Sequence, residues 1–284
     1  MLRRARALDI PIPQTLGLEP SDDLLAGAER MGYPVVVKPR FSRFLQDGRW
    51  RSTEVRYAAS PQELESALRA AGAGAPEALV QEKIQGDGVG AFLLLWNGEL
   101  KAAFCHRRLR EKPPWGGVSV LRESIPLDRE LVAQSEALLR VIGWQGAAMV
   151  EFKRDARDGR HRLMEVNGRF WGSLQLAIDA GMNFPLMLYR LATGEPVPAS
   201  FDYRAGVRSR WWLGDLDNLL IRLRGSRMMN GAAGSRWGAI REFMEPGGEL
   251  QRNEIFRSGD RGPGWRELKD YVREALTPAH GGRR

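Results

Sequence analysis

The chain has 284 residues, of which 43% are hydrophobic and 27% are charged. This length and balance predict a folded protein with a substantial core and exclude wholesale disorder. A single cysteine excludes an intrachain disulfide and agrees with a reducing compartment. The longest uninterrupted apolar run covers only residues 91–96, which is too short to cross a bilayer, so we expect a cytoplasmic location.

The net charge is +8, and the segment from Arg204 onward carries 16 basic and 10 acidic residues. A basic surface attracts nucleotides, nucleic acid or acidic membranes without choosing among them. The segment 215–224 has leucines at helical spacing, and we expect this helix to pack on the main domain. One alternative is a membrane-surface protein, with this helix lying on the membrane and with Trp211 and Trp212 as anchors. The other is a nucleic-acid binder, but no recognised nucleic-acid motif is present and we expect no specific nucleic-acid partner.

The first third of the chain alternates between short helices and short strands. Turn and cap residues mark the boundaries, notably the Ser60-Pro61 pair before a helix and Gly32 after one. In chain order, the predicted elements are a helix over 1–8, a connector over 10–15, a helix capped by Ser21 and Asp22 and running to about Arg30, strands over 33–38 and 53–57 separated by a basic loop over 41–50, a helix from Ser60-Pro61 to Gly72, and strands over 78–84 and 89–96.

The remainder continues the same mixture. Asn97-Gly98 is a strong hairpin signal. Alternating strands and helices with several hairpins predict a mixed α/β fold. The further predicted elements are a strand over 100–108, a Pro- and Gly-rich loop within 110–119, a helix over 128–142, strands over 146–153 and 162–166, helices over 173–179 and 184–192, and a boundary over 194–200.

Two of these strands carry a concentration of oxygen-bearing side chains. Glu165 and Asn167 are two positions apart and so share one face of their strand, and a turn around Asp158-Gly159 places Glu151 on the preceding strand of the same hairpin. Magnesium prefers such oxygen ligands together with substrate phosphates. Arg169 lies within reach to stabilise charge on a phosphoryl group. The alternative is an exposed hairpin with solvated acids.

Two further segments fit a nucleotide. Lys38 ends an apolar strand, where it either positions a charge over phosphates or extends its ammonium to solvent from the edge of the core. The strand edge at 81–84 offers backbone groups to an adenine and runs into a glycine-containing connector over 86–88. Without a Gly-Lys dipeptide anywhere in the chain, a P-loop is excluded.

These segments, in this order, resemble the ATP-grasp superfamily, with the carbamoyl-phosphate synthase large chain and biotin carboxylase branch as the most similar. The resemblance covers roughly residues 10–195. The matching stretches are 33–39 (YPVVVKP), 79–84 (LVQEKI), 146–152 (GAAMVEF) and 164–173 (MEVNGRFWGS).

The resemblance implies an ATP-grasp fold in which two α+β subdomains grip ATP. It implies that Lys38 contacts the α- and β-phosphates, that the segment 82–84 holds the adenine, and that Met164 packs against the ring. Asp87 is the only nearby substitute for the ribose-binding acid of the family. The nucleotide-binding residues implied in this way are Lys38, Glu82, Lys83, Ile84, Asp87 and Met164.

The resemblance also implies a metal site and a reaction. Glu151, Glu165 and Asn167 would bind two Mg²⁺ or Mn²⁺ ions, and Arg169 would steady the transferred phosphoryl group. The implied activity is an ATP-dependent ligase that activates a carboxylate as an acyl phosphate for attack by an amine or another nucleophile. Arg107 and Arg108 are candidates for binding the acidic substrate, the alternative being a solvated basic strand.

The domains predicted on this basis are an N-terminal remnant over 1–20, a small lid subdomain over 21–90, a large subdomain with the metal site over 91–200 and a basic extension over 201–284. The family usually has a Rossmann-like domain before the point that matches residue 10, so we expect it to be missing or supplied by a partner. A homodimer is a further expectation. The alternative to an active ligase is a non-catalytic ATP-binding regulatory module.

Overall fold

The computed structural model describes residues 1–19, 21–39, 43–46, 48–72, 78–225 and 235–277. The chain divides into two compact units, a smaller one formed by Met1–Gly86 and Phe152–Glu165 and a larger one formed by Asp87–Glu151 and Val166–Arg284. The four-part division expected from the sequence concerns functional domains and stays a prediction.

The smaller unit is built on a four-stranded sheet with the order β1-β6-β2-β5. Its core is aliphatic, with Val35, Val37, Leu64 and Val80 buried between this sheet and two helices. The elements are α1 (Leu2–Ala7), β1 (Thr15–Leu16), α2 (Leu24–Met31), β2 (Val35–Pro39), β3 (Arg43–Gln46), β4 (Arg49–Ser52), β5 (Arg56–Ala58), α3 (Pro61–Gly72) and β6 (Ala78–Glu82).

The start of α2 differs from the prediction. Asp23 is the N-cap, and its Oδ1 accepts hydrogen bonds from the backbone N–H groups of Leu25 and Ala26 at 3.1 and 3.0 Å. The predicted cap residue Asp22 instead accepts from the N–H of Gly17 at 2.8 Å and so closes the preceding turn. Three consecutive polar residues offered equivalent caps, and the tertiary position of the turn selected among them.

The basic segment predicted as a loop contains a hairpin. Strands β3 and β4 pair antiparallel, with Phe44 opposite Arg51 and Leu45 opposite Trp50. Residues 41, 42 and 47 of the predicted loop lie outside the described residues. The hairpin was missed because its arginines and exposed apolar residues do not show the buried alternation that identifies a strand.

The larger unit is organised by a sheet with the strand order β11-β10-β7-β8-β9-β12-β13. Asn97 and Gly98 adopt φ angles of 50° and 77°, so the predicted tight hairpin between β7 and β8 is confirmed. The elements are β7 (Gly88–Trp96), β8 (Glu99–Lys112), β9 (Val118–Ser124), α4 (Arg129–Val141), β10 (Gly146–Arg154), β11 (His161–Asn167), α5 (Leu174–Asp179), α6 (Phe184–Ala192), β12 (Arg208–Arg210), α7 (Trp212–Arg224), α8 (Arg236–Met244), β13 (Gln251–Asn253) and α9 (Gly262–Leu276).

The core of the larger unit is aromatic. Phe92 packs against Phe104 and Trp171, with ring centroids 5.6 and 4.4 Å apart, and Trp171 meets Phe184 edge to face at 5.2 Å. Cys105 is fully buried, as predicted for a small core residue, and burial raises the pKa of its thiol to about 12.

The loop predicted within 110–119 is shorter than expected. Strand β8 continues to Lys112 and β9 begins at Val118, so the loop covers only residues 113–117 and the other half of the segment is strand. The helix predicted over 215–224 is confirmed as α7, and it packs against β8 and β9 as expected. Its fully buried positions are Gly214, Asp215 and Asn218, whereas Leu220 of the leucine stripe is 37% exposed. Arg110 of β8 pairs with Asp215 of α7, a contact that a hydrophobic pattern cannot report.

The C-terminal part of the larger unit belongs to the same sheet. Strand β12 pairs antiparallel with β9, and β13 pairs parallel with β12. Trp211 donates to Glu267, and Trp212 stacks on the guanidinium of Arg210, so both tryptophans make contacts within the unit. Among the residues that the structure describes, no helix is long and apolar enough to span a membrane.

Candidate functional site

Glu151 lies on β10 in direct contact with an arginine. The Nη2 of Arg108, on β8, is 2.5 Å from the Oε2 of Glu151. The Nη1 of Arg108 donates to the Oε1 of Glu111 at 3.0 Å and to the carbonyl oxygen of Gly117 at 3.1 Å. We call Arg108, Glu111 and Glu151 the Arg108 cluster.

The Arg108 cluster is largely shielded from solvent. The side chains of Arg108 and Glu111 are 12% exposed and that of Glu151 is 16% exposed. Burial alone would lower the pKa of Arg108, but the carboxylates of Glu151 and Glu111 outweigh it and raise the pKa. The guanidinium is therefore held charged between two acids.

Arg107 and Arg108 are not a pair in space. Adjacent residues of a strand point to opposite faces, and Arg107 forms an ion pair with Glu123 at 2.6 Å while Arg108 binds Glu151. Arg208 binds the same Glu123 at 2.8 Å. Of the two predicted substrate residues, the structure brings only Arg108 to a predicted metal ligand.

Glu165 and Asn167 occupy alternate positions of β11 and so share one face of that strand. Glu165 is exposed and belongs to the smaller unit, whereas Asn167 is half-buried and belongs to the larger one. That Glu151 joins them on one face stays a prediction. Arg169 is exposed, and its Nη1 donates to the carbonyl oxygen of Phe170 at 2.9 Å.

Gly168 has a packing reason to be glycine. A Cβ added there would lie 2.4 Å from Cη2 of Trp144. Any larger residue would have to displace a six-membered aromatic ring. This close approach fixes the path of the chain between Asn167 and Arg169.

The chemistry of the predicted metal ligands fits a hard cation. Two carboxylates and one amide supply only oxygen, which suits Mg²⁺ or Mn²⁺ and not a thiolate- or imidazole-bound metal. Among the described residues, no group of three or more His, Cys, Asp and Glu side chains is placed to hold a metal by itself. A shell completed by nucleotide phosphates agrees with the usual way in which proteins bind magnesium.

In the smaller unit, the predicted adenine segment begins at the end of β6. The Oε1 of Glu82 accepts from the N–H of Gln14 at 2.9 Å, and its Oε2 lies 2.8 Å from Nη2 of Arg157. The N–H of Glu82 donates to the carbonyl oxygen of Gln14 at 3.0 Å. The carboxylate of Glu82 therefore binds residues of its own unit and ties β6 to the N-terminal segment.

Lys83 and Ile84 follow with different environments. The ammonium of Lys83 lies 5.6 Å from the ring centre of Tyr57, and burial, followed by the charge of Lys153, lowers its pKa. Ile84 is buried, with 3% of its surface exposed. An apolar side chain and a cation next to each other suit the ring and the phosphates of a nucleotide respectively.

The remaining predicted nucleotide residues are spread over three elements. Lys38 is half-buried on β2 opposite Leu79 of β6, and Met164 is half-buried on β11. Asp87 is exposed. Gly86 before it has a φ of 142°, and a Cβ there would lie 1.8 Å from the carbonyl oxygen of Arg154. This close approach of two backbone segments explains why the position is a glycine.

One buried polar residue near the Arg108 cluster, His106, was not predicted from the sequence. His106 stacks on Phe92, with ring centroids 4.6 Å apart, and its Nε2 lies 3.0 Å from the Oγ of Ser173. Burial, followed by the charges of Arg108 and Arg122, lowers its pKa well below the usual value, so the imidazole is neutral. Arg122 lies directly opposite Arg108 on β9 and forms an ion pair with Glu254. Recognising β9 as a strand would have placed these residues together.

Comparisons with known proteins identify the fold. A family model described as "ATP-grasp in the biosynthetic pathway with Ter operon" matches residues 75–213. No curated protein sequence matches the chain. Solved structures match with high probability. The chain has the ATP-grasp fold.

Three solved structures illustrate this similarity. Pyruvate carboxylase from Rhizobium etli is 19% identical with a TM-score of 0.56, and the match covers 72% of this chain and 19% of that one. The biotin carboxylase domain of the 2-oxoglutarate carboxylase from Hydrogenobacter thermophilus, in complex with MgADP and bicarbonate, is 17% identical with a TM-score of 0.55, covering 72% and 47%. An L-amino acid ligase from Bacillus licheniformis is 21% identical with a TM-score of 0.50, covering 67% and 45%.

The resemblance to the ATP-grasp superfamily and the mixed α/β fold are therefore confirmed. The matches span less than half of the length of each of these three proteins. At these identities the similarity describes the fold, and the reaction has to be argued from the residues of this chain.

Proposed function

We propose that this protein is an ATP- and magnesium-dependent ligase that activates a carboxylate as an acyl phosphate for attack by an amine. The observation that carries the proposal is the buried contact between Glu151 and Arg108, which joins a candidate metal ligand to a candidate anion-binding residue in a protein with an ATP-grasp fold. The solved structures support it, because they include a ligase of amino acids and a carboxylase domain with MgADP.

The roles of the residues follow from their chemistry. Glu151, Glu165 and Asn167 would hold two magnesium ions through oxygen atoms, and those ions would neutralise the triphosphate. Arg169 would bind the transferred phosphoryl group through its planar fork of donors. These residues act by positioning and by charge, since phosphoryl transfer requires little covalent chemistry from the protein.

The nucleotide would be held by a second set of residues. Lys38 would contact the phosphates, the segment 82–84 and Met164 the adenine, and Asp87 the ribose. Because the carboxylate of Glu82 binds Gln14 and Arg157, we assign recognition of the adenine at this position to the backbone. The carboxylate and amine substrates are small molecules whose identity depends on loops grafted on the fold.

Binding of ATP tests the proposal most directly. Isothermal titration calorimetry with ATP and Mg²⁺ should show binding to the wild-type protein and a loss on the order of 100-fold in the double variant Glu165→Ala, Asn167→Ala, since both changes remove metal ligands. Glu195→Ala is the matched control, because Glu195 is an exposed acid that pairs with Arg190. Equal ATP affinity in the wild type and the double variant would refute the metal site.

A second measurement separates a ligase from a regulatory module. ATP should be converted to ADP and phosphate when a panel of carboxylates is supplied together with amines, and the release should depend on both. ATP binding without release under any member of the panel would favour the non-catalytic module. ADP formation that does not depend on a carboxylate would also contradict the proposed reaction.

A further inference from the structure

The segment that follows β11 carries Arg169 and is held against the larger unit at both ends. At its start, a Cβ on Gly168 would lie 2.4 Å from the ring of Trp144, so the backbone there passes directly over that ring. At its end, Trp171 is buried, with its ring centroid 4.4 Å from that of Phe92. The side chain of Arg169 is exposed between these two points, so the path of the backbone determines where its guanidinium can reach.

A third contact lies two residues after Trp171. The Oγ of Ser173 is 3.0 Å from the Nε2 of His106 on β8, and both side chains are buried. Ser173 occupies the N-cap position of α5, yet its hydroxyl makes no capping hydrogen bond. A serine at an N-cap ordinarily accepts a hydrogen bond from a backbone N–H of the first turn. The bond to His106 therefore takes the place of a contact that would stabilise the helix itself.

His106 is a costly residue at this place in the core. Its ring stacks on Phe92 with centroids 4.6 Å apart, and only 2% of its surface is exposed. An apolar side chain would fill this position among aromatic rings without the cost of burying a polar group. A buried polar residue whose hydrogen bond is satisfied specifies the arrangement of the elements that it joins. The element that His106 joins to β8 is the segment that carries Arg169.

Strand β8 connects this contact to the rest of the candidate site. His106 and Arg108 are two positions apart on β8, with no register shift between them, so they share one face of the strand. Arg108 contacts Glu151 at 2.5 Å, and His106 contacts Ser173. One face of a single strand therefore contacts both the candidate metal ligand and the segment with the candidate phosphoryl-binding residue Arg169.

We propose that His106 is a positioning residue for Arg169, because its hydrogen bond to Ser173 holds the segment 168–173 where the guanidinium of Arg169 reaches the γ-phosphate of bound ATP. This inference rests on the proposed function, which assigns Arg169 to the transferred phosphoryl group. His106 acts through the backbone of the segment and not by contact with the nucleotide. Its effect therefore belongs to the γ-phosphate, which ATP has and ADP lacks.

The contribution of the γ-phosphate to binding reports the position of Arg169. We define the γ-phosphate ratio as the affinity for an ATP analogue with a non-hydrolysable imido bridge between the β- and γ-phosphates, divided by the affinity for ADP, both titrated calorimetrically with Mg²⁺. Arg169→Ala should lower this ratio roughly tenfold, the size of one charged hydrogen bond. Ser173→Ala and His106→Leu should each lower it about threefold, because a displaced guanidinium keeps only part of that bond, while the affinity for ADP stays unchanged.

Three further variants separate positioning from a general disturbance of the core. His106→Gln offers an amide nitrogen and an amide oxygen near the position of Nε2, so it can keep the bond to Ser173 whichever group donates, and its γ-phosphate ratio should be that of the wild type. The double variant His106→Leu, Ser173→Ala should have the same ratio as the single variants, since both changes remove one bond. Ser135→Ala is the matched control, because Ser135 is a buried serine whose hydroxyl donates to the carbonyl oxygen of Leu131 within α4.

Thermal unfolding checks that each variant is folded, and Ser173→Ala carries the test if His106→Leu is not. If Ser173→Ala keeps the wild-type γ-phosphate ratio while Arg169→Ala loses it, the positioning role is refuted and the proposed function stays intact. An equal loss of affinity for ADP and for the ATP analogue also refutes it, as does a ratio lowered to the same extent in Ser135→Ala. If Arg169→Ala keeps the wild-type ratio, the role of Arg169 in the proposed function fails, and the positioning role fails with it.

Discussion

Two clusters of charged residues on β8 of the larger unit differ in how completely they are closed. The Arg108 cluster has two acids and one guanidinium, with side chains 12–16% exposed. The second cluster consists of Arg110, Arg210 and Asp215, and we call it the Asp215 cluster. Asp215 is 1% exposed and Arg210 2%. The clusters begin only two residues apart on the strand, so the difference lies in their partners.

The Asp215 cluster is saturated by its surroundings. Arg110 binds both carboxylate oxygens of Asp215, at 2.6 and 2.7 Å, and Arg210 binds one of them at 2.6 Å. Their other donors reach the backbone carbonyl oxygens of Glu242 and Phe243. The guanidinium of Arg210 also lies 3.6 Å from the ring centre of Trp212. Every one of these contacts belongs to the protein itself.

The comparison sets a cluster that joins helices to the sheet beside one that contains a candidate metal ligand. The Asp215 cluster joins α7 and α8 to the sheet. The Arg108 cluster is more exposed, and it contains the candidate metal ligand Glu151. We therefore expect substitutions in the Asp215 cluster to change mainly stability, and substitutions at Glu151 to change mainly the binding of metal and nucleotide.

The largest expected effect is on stability at the Asp215 cluster. Asp215→Ala leaves two guanidinium groups without their shared carboxylate in a buried place, so the free energy of unfolding should fall by about 3–5 kcal/mol. Urea denaturation followed by tryptophan fluorescence measures it. The folded fraction should bind MgADP with nearly the wild-type affinity. A drop below about 1 kcal/mol would show that the cluster is not structural.

The second expected effect is at the Arg108 cluster, where we expect binding to change and stability to stay nearly the same. Glu151→Gln removes one of two acids while Glu111 still neutralises Arg108, so the free energy of unfolding should change by less than about 1 kcal/mol. Affinity for Mg²⁺ with ADP should fall by at least about tenfold, since a ligand and a negative charge are lost together. The same two measurements apply. A large loss of stability with unchanged Mg²⁺ dependence would place Glu151 with the structural residues.

A third cluster, in the smaller unit, consists of Asp155, Arg157 and Arg162, and it predicts that stability depends on pH. Hydrogen bonds from Arg157, together with the charge of Arg162, outweigh burial and lower the pKa of Asp155 from 3.8 to about 2. A carboxyl with a lowered pKa stabilises the folded state above its ordinary pKa, and this stabilisation is lost as the pH falls from about 4 towards 2. Its size should be on the order of 1–2 kcal/mol.

Acid unfolding tests this dependence with a matched variant. Asp155→Asn removes the titrating group and should flatten the pH dependence of stability between about pH 4 and 2. The wild type should keep the steeper dependence. Identical acid profiles for the two proteins would contradict the role of Asp155.

The contrast between the clusters also shows what a sequence can predict. The hairpin at Asn97-Gly98, the cap at Ser60 and the small buried Cys105 were predictable, because each depends on local backbone geometry or burial. The ATP-grasp fold was predictable from four motifs. Turn residues, helix caps and the order of motifs can be recognised in the sequence without knowing the tertiary contacts.

The partners of the charged residues were not predictable. Arg108 and Glu151 are 43 positions apart, and Arg110 and Asp215 are 105 positions apart. Such contacts depend on strand order and on bulges, and β8 has two irregularities against β9 near Arg108 and Arg110. A one-residue shift in register moves a side chain to the other face of the sheet. The sequence of a basic strand therefore does not show which arginine contacts the candidate metal ligand Glu151 and which contacts α7.

The smallest expected effect is at Asp217, a partly exposed acid that belongs to neither cluster. Asp217 accepts a hydrogen bond from the hydroxyl of Tyr271 at 2.7 Å and pairs with Lys112, whose side chain is 37% exposed. Burial, followed by the hydrogen bond to Asp217 and the charge of that carboxylate, raises the pKa of Tyr271 to about 12. Asp217→Asn should lower the free energy of unfolding by about 0.5–1 kcal/mol and should move the pKa of Tyr271 down towards its ordinary value of 10.0.

Spectroscopic titration of the tyrosines measures the second effect independently of stability. The variant should ionise one more tyrosine below pH 11 or so than the wild type does, because the neutral hydroxyl loses its acidic neighbour. Tyr271→Phe is the control that removes the transition altogether. If Asp217→Asn leaves the tyrosine titration as it is in the wild type, burial alone sets the pKa of Tyr271. If it lowers stability as much as Asp215→Ala does, the contact between Asp217 and Tyr271 is as important for stability as the Asp215 cluster.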